Sequence, residues 1–225
     1  MRHSLIAASL ALAFTGVQAV TLDFGNGPGA PTICAANDQG TGAMVGCANS
    51  SRINQDYGDI AGVVDVTYFS QPQLHSDVSL RWWAANYNDL YGVLWADGGD
   101  NPSSHGRVEL KALGGNTLHL TQFDLGAWPN ATRGTIADVY EIGSNVSLFN
   151  FTGSVGSGVG THNTFATNLS SSVGFWIEWK DSAFNVGIDN IMFSADVQAI
   201  PEPSTYGLLL GGLAAIGLLA RRRRS

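Results

Sequence analysis

The chain has 225 residues, of which 44% are hydrophobic, 10% aromatic and only 13% charged, with 28 glycines and six tryptophans. This composition excludes a disordered chain, and the length suits one domain with targeting segments. Between Val20 and Ala199, six Lys and Arg stand against seventeen Asp and Glu, a net charge of −11. An acidic body argues against nucleic acid as a partner and permits cations or neutral glycans, or is simply a solvated surface.

The amino-terminal segment has the pattern of a secretory signal peptide. A short basic start precedes a stretch rich in Leu, Ile and Ala at 4–14, and Val17 and Ala19 place small residues at the positions that a signal peptidase reads. A transmembrane helix needs roughly 20 apolar residues, so the stretch is too short for one. We predict a signal peptide over 1–19, cleaved after Ala19, and an exported body over 20–199.

The two cysteines, Cys34 and Cys47, lie in a segment rich in Gly, Ala and Asn. Export to an oxidising compartment lets them pair. Two thiols without a nearby His do not favour a zinc site. We therefore predict a structural disulfide that closes a loop and contributes about 3 kcal/mol.

The body is predicted to be all-β. Ten short segments are separated by Gly, Asn, Asp and Pro, and these are 21–24, 63–69, 78–83, 90–95, 107–113, 117–125, 135–141, 146–151, 173–180 and 186–193. In 107–113 apolar residues alternate with charged ones, and in 173–180 Val173, Phe175, Ile177 and Trp179 share one face. This period of two indicates sheets with one face in water, and so many short strands predict a sandwich or barrel.

In the predicted strand 117–125, the apolar residues change from even-numbered to odd-numbered positions. Leu118 and Leu120 occupy even-numbered positions, whereas Phe123 and Leu125 occupy odd-numbered ones. An insertion of one residue near 121–122 would keep all four side chains on the inner face. The sequence therefore predicts a β-bulge at this position.

The carboxyl end combines three features in a fixed order. Pro201, Glu202 and Pro203 precede an uncharged stretch of Leu, Gly, Ala and Ile, and a basic cluster ends the chain. The basic cluster consists of Arg221, Arg222, Arg223 and Arg224. The stretch is at the short limit for spanning a bilayer, and basic residues stay cytoplasmic. We predict a single transmembrane helix over 205–220, oriented by the arginines with the body outside.

Residues 200–225 resemble the PEP-CTERM sorting signal, a tag on exported proteins of Gram-negative bacteria that make exopolysaccharide or biofilm matrix. The resemblance implies recognition of Pro201, Glu202 and Pro203 by an exosortase, a membrane-embedded Cys-dependent transpeptidase. It also implies that cleavage near this motif removes the helix, as in a GPI signal. Without cleavage, the protein would remain anchored in the inner membrane. The expected location is the cell envelope, the outer surface or the extracellular matrix.

Two segments of the body, 123–129 and 186–193, are similar to the jelly-roll domains of many such sorted proteins. Those domains resemble galactose-binding and carbohydrate-binding β-sandwiches. The expected fold class is therefore an all-β, jelly-roll type β-sandwich, flanked by the signal peptide and the carboxyl-terminal transmembrane helix.

Tryptophans are the candidate ligand residues, because a flat indole stacks on the apolar face of a sugar. Trp128 lies in a loop of Gly, Pro and Asn, Trp95 precedes a polar loop, and Trp176 lies on the polar face of its strand. In the pairs Trp82–Trp83 and Trp176–Trp179, one ring of each pair is expected in the core. The alternative is that all six rings are core or corner residues.

The candidate residues for cation binding are acidic side chains and an asparagine. Asp97, Asp100 and Asn101 offer oxygen ligands for Ca²⁺, although such residues also form ordinary turns. Asp23 and Asp189 would meet if the first and last strands paired. No cofactor other than Ca²⁺ is expected.

Motifs of hydrolases are missing from the sequence, which contains neither Gly-x-Ser-x-Gly nor His-Glu-x-x-His. A glycosidase needs two carboxylates at one sugar bond, and Glu109 and Glu178 lie in mid-strand on polar faces. We expect a non-enzymatic envelope or matrix protein that binds exopolysaccharide or packs as matrix material. The alternative is a secreted glycan-active enzyme. An adhesive or ice-binding protein would require a Thr-x-Thr ladder, which the sequence lacks.

Overall fold

A computed structural model of the chain describes residues 16–25, 29–73, 78–100, 104–156 and 160–197, together with 210–213, 216 and 220–222. Residues 17–197 form one compact unit, and the two chain ends are assigned to another. The described residues beyond 209 are helical. Within the described residues, no helix combines the length and apolarity needed to cross a membrane. Residues 1–15 of the predicted signal peptide and most of the segment predicted to span the membrane lie outside the described residues.

The described residues contain thirteen strands. They are β1 (Gly16–Leu22), β2 (Cys34–Ala35), β3 (Met44–Val45), β4 (Val64–Ser70), β5 (Arg81–Trp83), β6 (Val93–Trp95), β7 (His105–Ala112), β8 (Thr117–Ala127), β9 (Arg133–Glu141), β10 (Ser147–Val155), β11 (Asn163–Ser171), β12 (Gly174–Lys180) and β13 (Val186–Val197). β1 begins at Gly16, so the predicted cleavage position after Ala19 falls within this strand.

The strands form two main sheets. One has the order β11-β8-β13-β6-β5, with β1 also paired to β13, and the other has the order β10-β9-β12-β7-β4. Side chains from both sheets join one buried cluster that includes Val108, Phe123, Phe175 and Ile188. The predicted all-β sandwich is therefore confirmed.

All ten predicted segments overlap strands, and the prediction missed β2, β3 and β11. β2 and β3 have two residues each, too few to show a period. β11 lies at the edge of its sheet, where Phe165 and Leu169 are only half-buried among Asn, Thr and Ser. An edge strand with so little apolar material gives a weak sequence signal.

The alternation predicted for the interior is confirmed with one exception. Val108 and Leu110 of β7 and Phe175 and Ile177 of β12 are fully or almost fully buried. The placement of Val173 on the same inner face was wrong, because β12 begins only at Gly174 and the Val173 side chain is 45% exposed.

The predicted bulge in β8 is confirmed. Leu118, Leu120, Phe123 and Leu125 are all 0% exposed. The register of β8 against both neighbouring strands shifts between Leu120 and Gln122. Because of this extra residue, Phe123 and Leu125 point inward after the bulge, as Leu118 and Leu120 do before it.

The predicted disulfide is also confirmed. Cys34 and Cys47 are buried and bonded, with 5.1 Å between their Cα atoms. The bridge closes the loop that contains the β2–β3 hairpin, beside the strand-like segment around Ile53.

Candidate functional site

A cavity of about 180 Å³ is walled almost entirely by aromatic side chains, and we call it the aromatic cavity. Its lining residues are Ser50, Trp83, Tyr87, Trp95, Trp128, Phe184 and Asn185. Two of the three predicted ligand residues, Trp95 and Trp128, therefore meet in one place. Their ligand role stays a prediction.

Neighbouring strands position the inner wall of the aromatic cavity. Trp83 ends β5 and Trp95 ends β6, and these strands pair antiparallel. The ring centroids of Trp83 and Trp95 are 6.4 Å apart, and those of Trp95 and Phe184 are 5.0 Å apart, both edge to face. Aromatic rings prefer this offset geometry, so each ring fixes the orientation of the next. The hydroxyl of Tyr87 donates to the carbonyl oxygen of Phe184 at 3.0 Å and ties the wall together.

Trp128 is held by its backbone rather than by deep burial. Its N–H donates to the carbonyl oxygen of Asn185 at 2.8 Å, and its own carbonyl accepts from Nε of Arg133 at 3.1 Å. The next turn is fixed by the Asn130 N–H, which donates to the carbonyl of Asn86 at 2.9 Å. The indole itself is half-buried. A fixed backbone with a partly exposed ring is the arrangement that a stacking platform requires.

The polar groups of the aromatic cavity carry no formal charge. Ser50 and Asn185 contribute polar side chains, and burial raises the pKa of the Tyr87 phenol, which keeps it a neutral hydroxyl. Trp95 is 7% exposed, and its Nε1–H is buried without a hydrogen-bond partner among the described residues. An unsatisfied buried donor costs about 1–3 kcal/mol. The aromatic and uncharged lining suits a neutral ligand with an apolar face.

Sequence reasoning missed Trp83, Tyr87 and Phe184 as members of this site. Tyr87 and Phe184 lie outside the strands, with Phe184 in the turn before β13. The available signal was the density of aromatic residues between 82 and 95. Nothing local in the sequence connects that segment with Phe184.

The third predicted ligand residue, Trp176, lies elsewhere, on the outer face of the five-stranded sheet. A hollow of about 230 Å³ there is lined by Arg107, Tyr140, Ser144, Asn145, Trp176 and Glu178. The guanidinium carbon of Arg107 lies 4.4 Å from the ring centroid of Trp176. The indole N–H of Trp176 donates to the Glu109 carboxylate at 2.5 Å. A cation already covers one face of this ring, so Trp176 is a poorer stacking platform than Trp128.

The two carboxylates considered for catalysis are both engaged by neighbours. Glu109 accepts from Trp176, and Glu178 accepts from Nε of Arg107 at 2.5 Å and lies 3.2 Å from Nε2 of His105. Burial by itself raises the pKa of Glu178, but His105 and Arg107 outweigh burial and hold that pKa below its usual value. Glu178 is therefore ionised at neutral pH and does not supply a proton.

The loop predicted to bind Ca²⁺ uses its carboxylates in another way. Asp97 accepts from Arg52 at 2.6 Å and from Arg81 at 2.7 Å, and Asp100 accepts from Arg133 at 3.0 Å. Burial alone raises the pKa of Asp97, but the hydrogen bonds from Arg81 and Arg52 lower it below the usual value. Guanidinium groups contact the oxygens that a metal would use, and the role of Asp97 and Asp100 as Ca²⁺ ligands stays a prediction. Asn101 lies outside the described residues.

The pairing required to bring Asp23 near Asp189 is present, because β1 pairs with β13. Asp189 accepts from the N–H groups of Phe24 at 3.1 Å and Asn190 at 2.8 Å. Burial raises the pKa of Asp189 to about 8, and the nearby Asp23 and Asp124 charges add to this shift. At neutral pH the side chain is therefore mostly a neutral acid. In the described part of the chain, no group of three or more His, Cys, Asp and Glu is arranged to hold a metal ion.

Comparison with known proteins identifies the carboxyl end. Residues 199–224 match the family described as the PEP-CTERM protein-sorting motif. No curated protein sequence matches the chain.

Several solved structures are similar to the body at low sequence identity. The GH26-CBM35 β-(1,4)-mannanase of Podospora anserina is 12% identical with a TM-score of 0.34, over 60% of this chain and 29% of that chain. A CBM4 structure is 11% identical with a TM-score of 0.30, over 59% of this chain and 83% of that chain. The family 11 carbohydrate-binding module of Clostridium thermocellum, solved with a mixed-linked tetrasaccharide, is 7% identical with a TM-score of 0.29, over 65% of this chain and 96% of that chain.

The matched segment contains the three parts that the sequence predicted in order, namely the Pro201–Pro203 motif, the apolar stretch and the terminal arginines. This sorting motif marks a protein for export, for exosortase processing and for association with the cell envelope or surface. The residues that carry the motif itself lie outside the described residues. The chain therefore carries a PEP-CTERM sorting motif behind its β-sandwich body, and this motif implies export and exosortase processing.

Proposed function

We propose that the β-sandwich is a non-enzymatic domain that binds one ring of a neutral polysaccharide in the aromatic cavity. The observation that carries the proposal is the convergence of Trp83, Trp95 and Trp128 on one small uncharged space. Stacking on indole uses the apolar face of a sugar, and the side chains of Ser50 and Asn185 line the same cavity as polar groups.

The size of the aromatic cavity sets the size of the bound group. Its volume of about 180 Å³ is below the roughly 300–1,000 Å³ of sites that enclose a drug-sized ligand. A single ring, at a chain end or on a branch, fits this space better than several consecutive rings. The ligand would therefore enter the cavity with one ring, and the rest of the polysaccharide would lie outside.

The sorting motif supports a location of this proposed binding activity at the cell surface. We propose that a signal peptidase removes 1–19 and that the segment 205–220 anchors the protein temporarily in the inner membrane of a Gram-negative bacterium. Arg221–Arg224 would hold the end of that helix on the cytoplasmic side. Exosortase cleavage near Pro201–Pro203 would then deliver the domain to the envelope or the exopolysaccharide matrix.

The test is binding of the full chain to a panel of neutral polysaccharides. Trp128→Ala is expected to weaken binding about tenfold, since one aromatic stacking contact contributes about 0.5–1.5 kcal/mol. Trp176→Ala is the matched control, because its ring lies on the outer sheet face under Arg107, and it should bind like the original chain. Loss of binding in Trp176→Ala but not in Trp128→Ala would refute the aromatic cavity as the site.

The alternative function is a glycan-active enzyme that uses Glu109 and Glu178, which lie on the outer face beside Trp176. The same incubations distinguish the two functions. Recovery of the polysaccharide unchanged supports binding alone. Product formation that disappears in Glu109→Gln or Glu178→Gln would establish the enzyme instead.

A further inference from the structure

The two sheets differ in how their edges are protected. β4 and β5 end the sheets on one side, and the segment 50–60 is hydrogen-bonded to both. Along β4, the Tyr68 N–H donates to the Gln55 side chain at 2.8 Å. Along β5, the Trp82 N–H donates to the carbonyl oxygen of Ser51 at 2.8 Å. These bonds satisfy backbone groups that would otherwise be open to another strand.

β10 and β11 end the same two sheets on the other side without such a cover. Within the described residues, neither strand has a backbone hydrogen bond outside its own sheet. In an antiparallel strand, alternate residues direct their N–H and C=O groups away from the partner. Each of these edges therefore presents a row of groups that can pair with an added strand.

Sequence features that usually block edge pairing are missing from β10. The segment 142–177 contains no Asp, Glu, Lys or Arg, and β10 contains no Pro. Its register with β9 shifts between Ser147 and Phe149, at the start of the strand, and is regular from Phe149 to Val155. In β11 the shift lies in mid-strand, between Ala166 and Leu169, where Asn168 has a φ of 50°. A bulge in mid-strand twists the edge away from pairing, which leaves the regular stretch 149–155 of β10 as the open edge.

Apolar side chains accompany the free edge. Val146 is 68% exposed and Leu148 43% exposed. Phe149 and Phe151 are half-buried, with ring centroids 6.0 Å and 4.8 Å from Phe165. A strand added along β10 would cover part of this surface as well as the backbone groups.

The distribution of charge over the body indicates which molecule can supply the added strand. The body of each copy carries a net charge of −11, so two copies repel one another over most of their surfaces. Segment 142–177 is the longest stretch of the body without Asp, Glu, Lys or Arg, so two copies can approach there without facing like charges. A twofold axis through β10 would bring the same strand antiparallel to itself, as a closed dimer requires.

We propose that this protein self-associates through β10, with the β10 strands of two copies paired antiparallel and the five-stranded sheets joined into one continuous sheet. The pairing adds main-chain hydrogen bonds at the seam and covers Leu148. It does not depend on carbohydrate binding, because the aromatic cavity contains no residue of β10.

The experiment measures the mass of the full chain by light scattering across a concentration series. Thr152 is exposed and lies near the middle of β10, so identical charges placed there would face each other across the seam. The unaltered chain is expected at twice the monomer mass. Thr152→Asp and Thr152→Lys are each expected at the monomer mass, and an equimolar mixture of the two variants should return to twice that mass.

The control is Ala166→Asp, which adds the same charge at an exposed position of β11, opposite the uncharged Gln122, and should remain dimeric. Circular dichroism melts must show that each variant is folded like the original chain. A monomeric original chain would overturn the proposal, and that is the result expected if β10 instead accepts a strand from another protein. Dimers in Thr152→Asp, loss of dimers in Ala166→Asp, or a mixture that stays monomeric would also overturn it.

Discussion

Asp189 is a residue whose surroundings change its chemistry. It lies opposite Asp124 in the β8–β13 ladder, and its carboxyl group accepts two backbone N–H groups. Burial nevertheless prevails and raises its pKa to about 8. The side chain therefore remains protonated in the folded protein at pH values where it ionises in the unfolded chain.

This difference predicts a pH dependence of stability. Between about pH 4 and pH 8, the unfolded state loses the Asp189 proton and the folded state keeps it, so stability falls as pH rises. The slope from this group is about 1.4 kcal/mol per pH unit. Asp189→Asn keeps an acceptor oxygen and cannot ionise, so it should remove this slope and raise the free energy of unfolding at neutral pH.

Urea unfolding of the full chain at several pH values measures the effect. Asp181→Asn is the control, because Asp181 is exposed on the surface and its substitution should leave the slope unchanged. An equal pH slope in Asp189→Asn and the original chain would show that Asp189 ionises normally in the folded state.

At the scale of elements, Asp97 joins several segments that are distant in sequence. It accepts from Arg52 in the segment that covers β5, from Arg81 of β5 and from Ser70 of β4. β4 and β5 belong to different sheets. One carboxylate thus helps to hold the two sheets and the covering segment together.

Removal of this carboxylate is expected to destabilise the fold. Asp97→Ala leaves the Arg52 side chain, only 7% exposed, without a carboxylate, while its hydrogen bonds to the carbonyl oxygens of Asp38 and Ser79 remain. Breaking a buried pair costs about 3–5 kcal/mol, and the lower end applies here because Asp97 is 36% exposed. Asp100→Ala is the control and should cost about 1 kcal/mol or less, since its pair with Arg133 is on the surface.

Thermal or urea unfolding of the two variants provides the comparison, repeated with added Ca²⁺. Equal stability of the two variants would contradict the role given to Asp97. A Ca²⁺-dependent stabilisation of the original chain that is lost in Asp97→Ala would support the prediction that this loop binds Ca²⁺.

At the scale of the whole molecule, the prediction concerns processing at both ends. The mature protein is expected to lack residues 1–19 and the residues beyond the Pro201–Pro203 motif. Intact mass of the protein from the envelope and medium of its host measures this. A mass that retains the segment 205–220 would mean that the helix is a lasting anchor, and a mass that retains 1–19 would refute the signal peptide.

The sequence by itself determined the features that depend on neighbours in the chain. Alternation predicted the buried faces of β7 and β12, a change of parity predicted the bulge in β8, and the order of motif, apolar stretch and arginines predicted the sorting tag. Local periodicity contains this information because side-chain direction in a strand has a period of two.

Only the tertiary structure decided which distant residues meet. The aromatic cavity combines residues near 50, 83–95, 128 and 184–185, and the Asp97 ion pairs combine segments just as far apart. The free edge of β10 likewise became visible only when the strand order was known. These features arise from packing between strands that are far apart in the sequence, and no local pattern of residues specifies that packing.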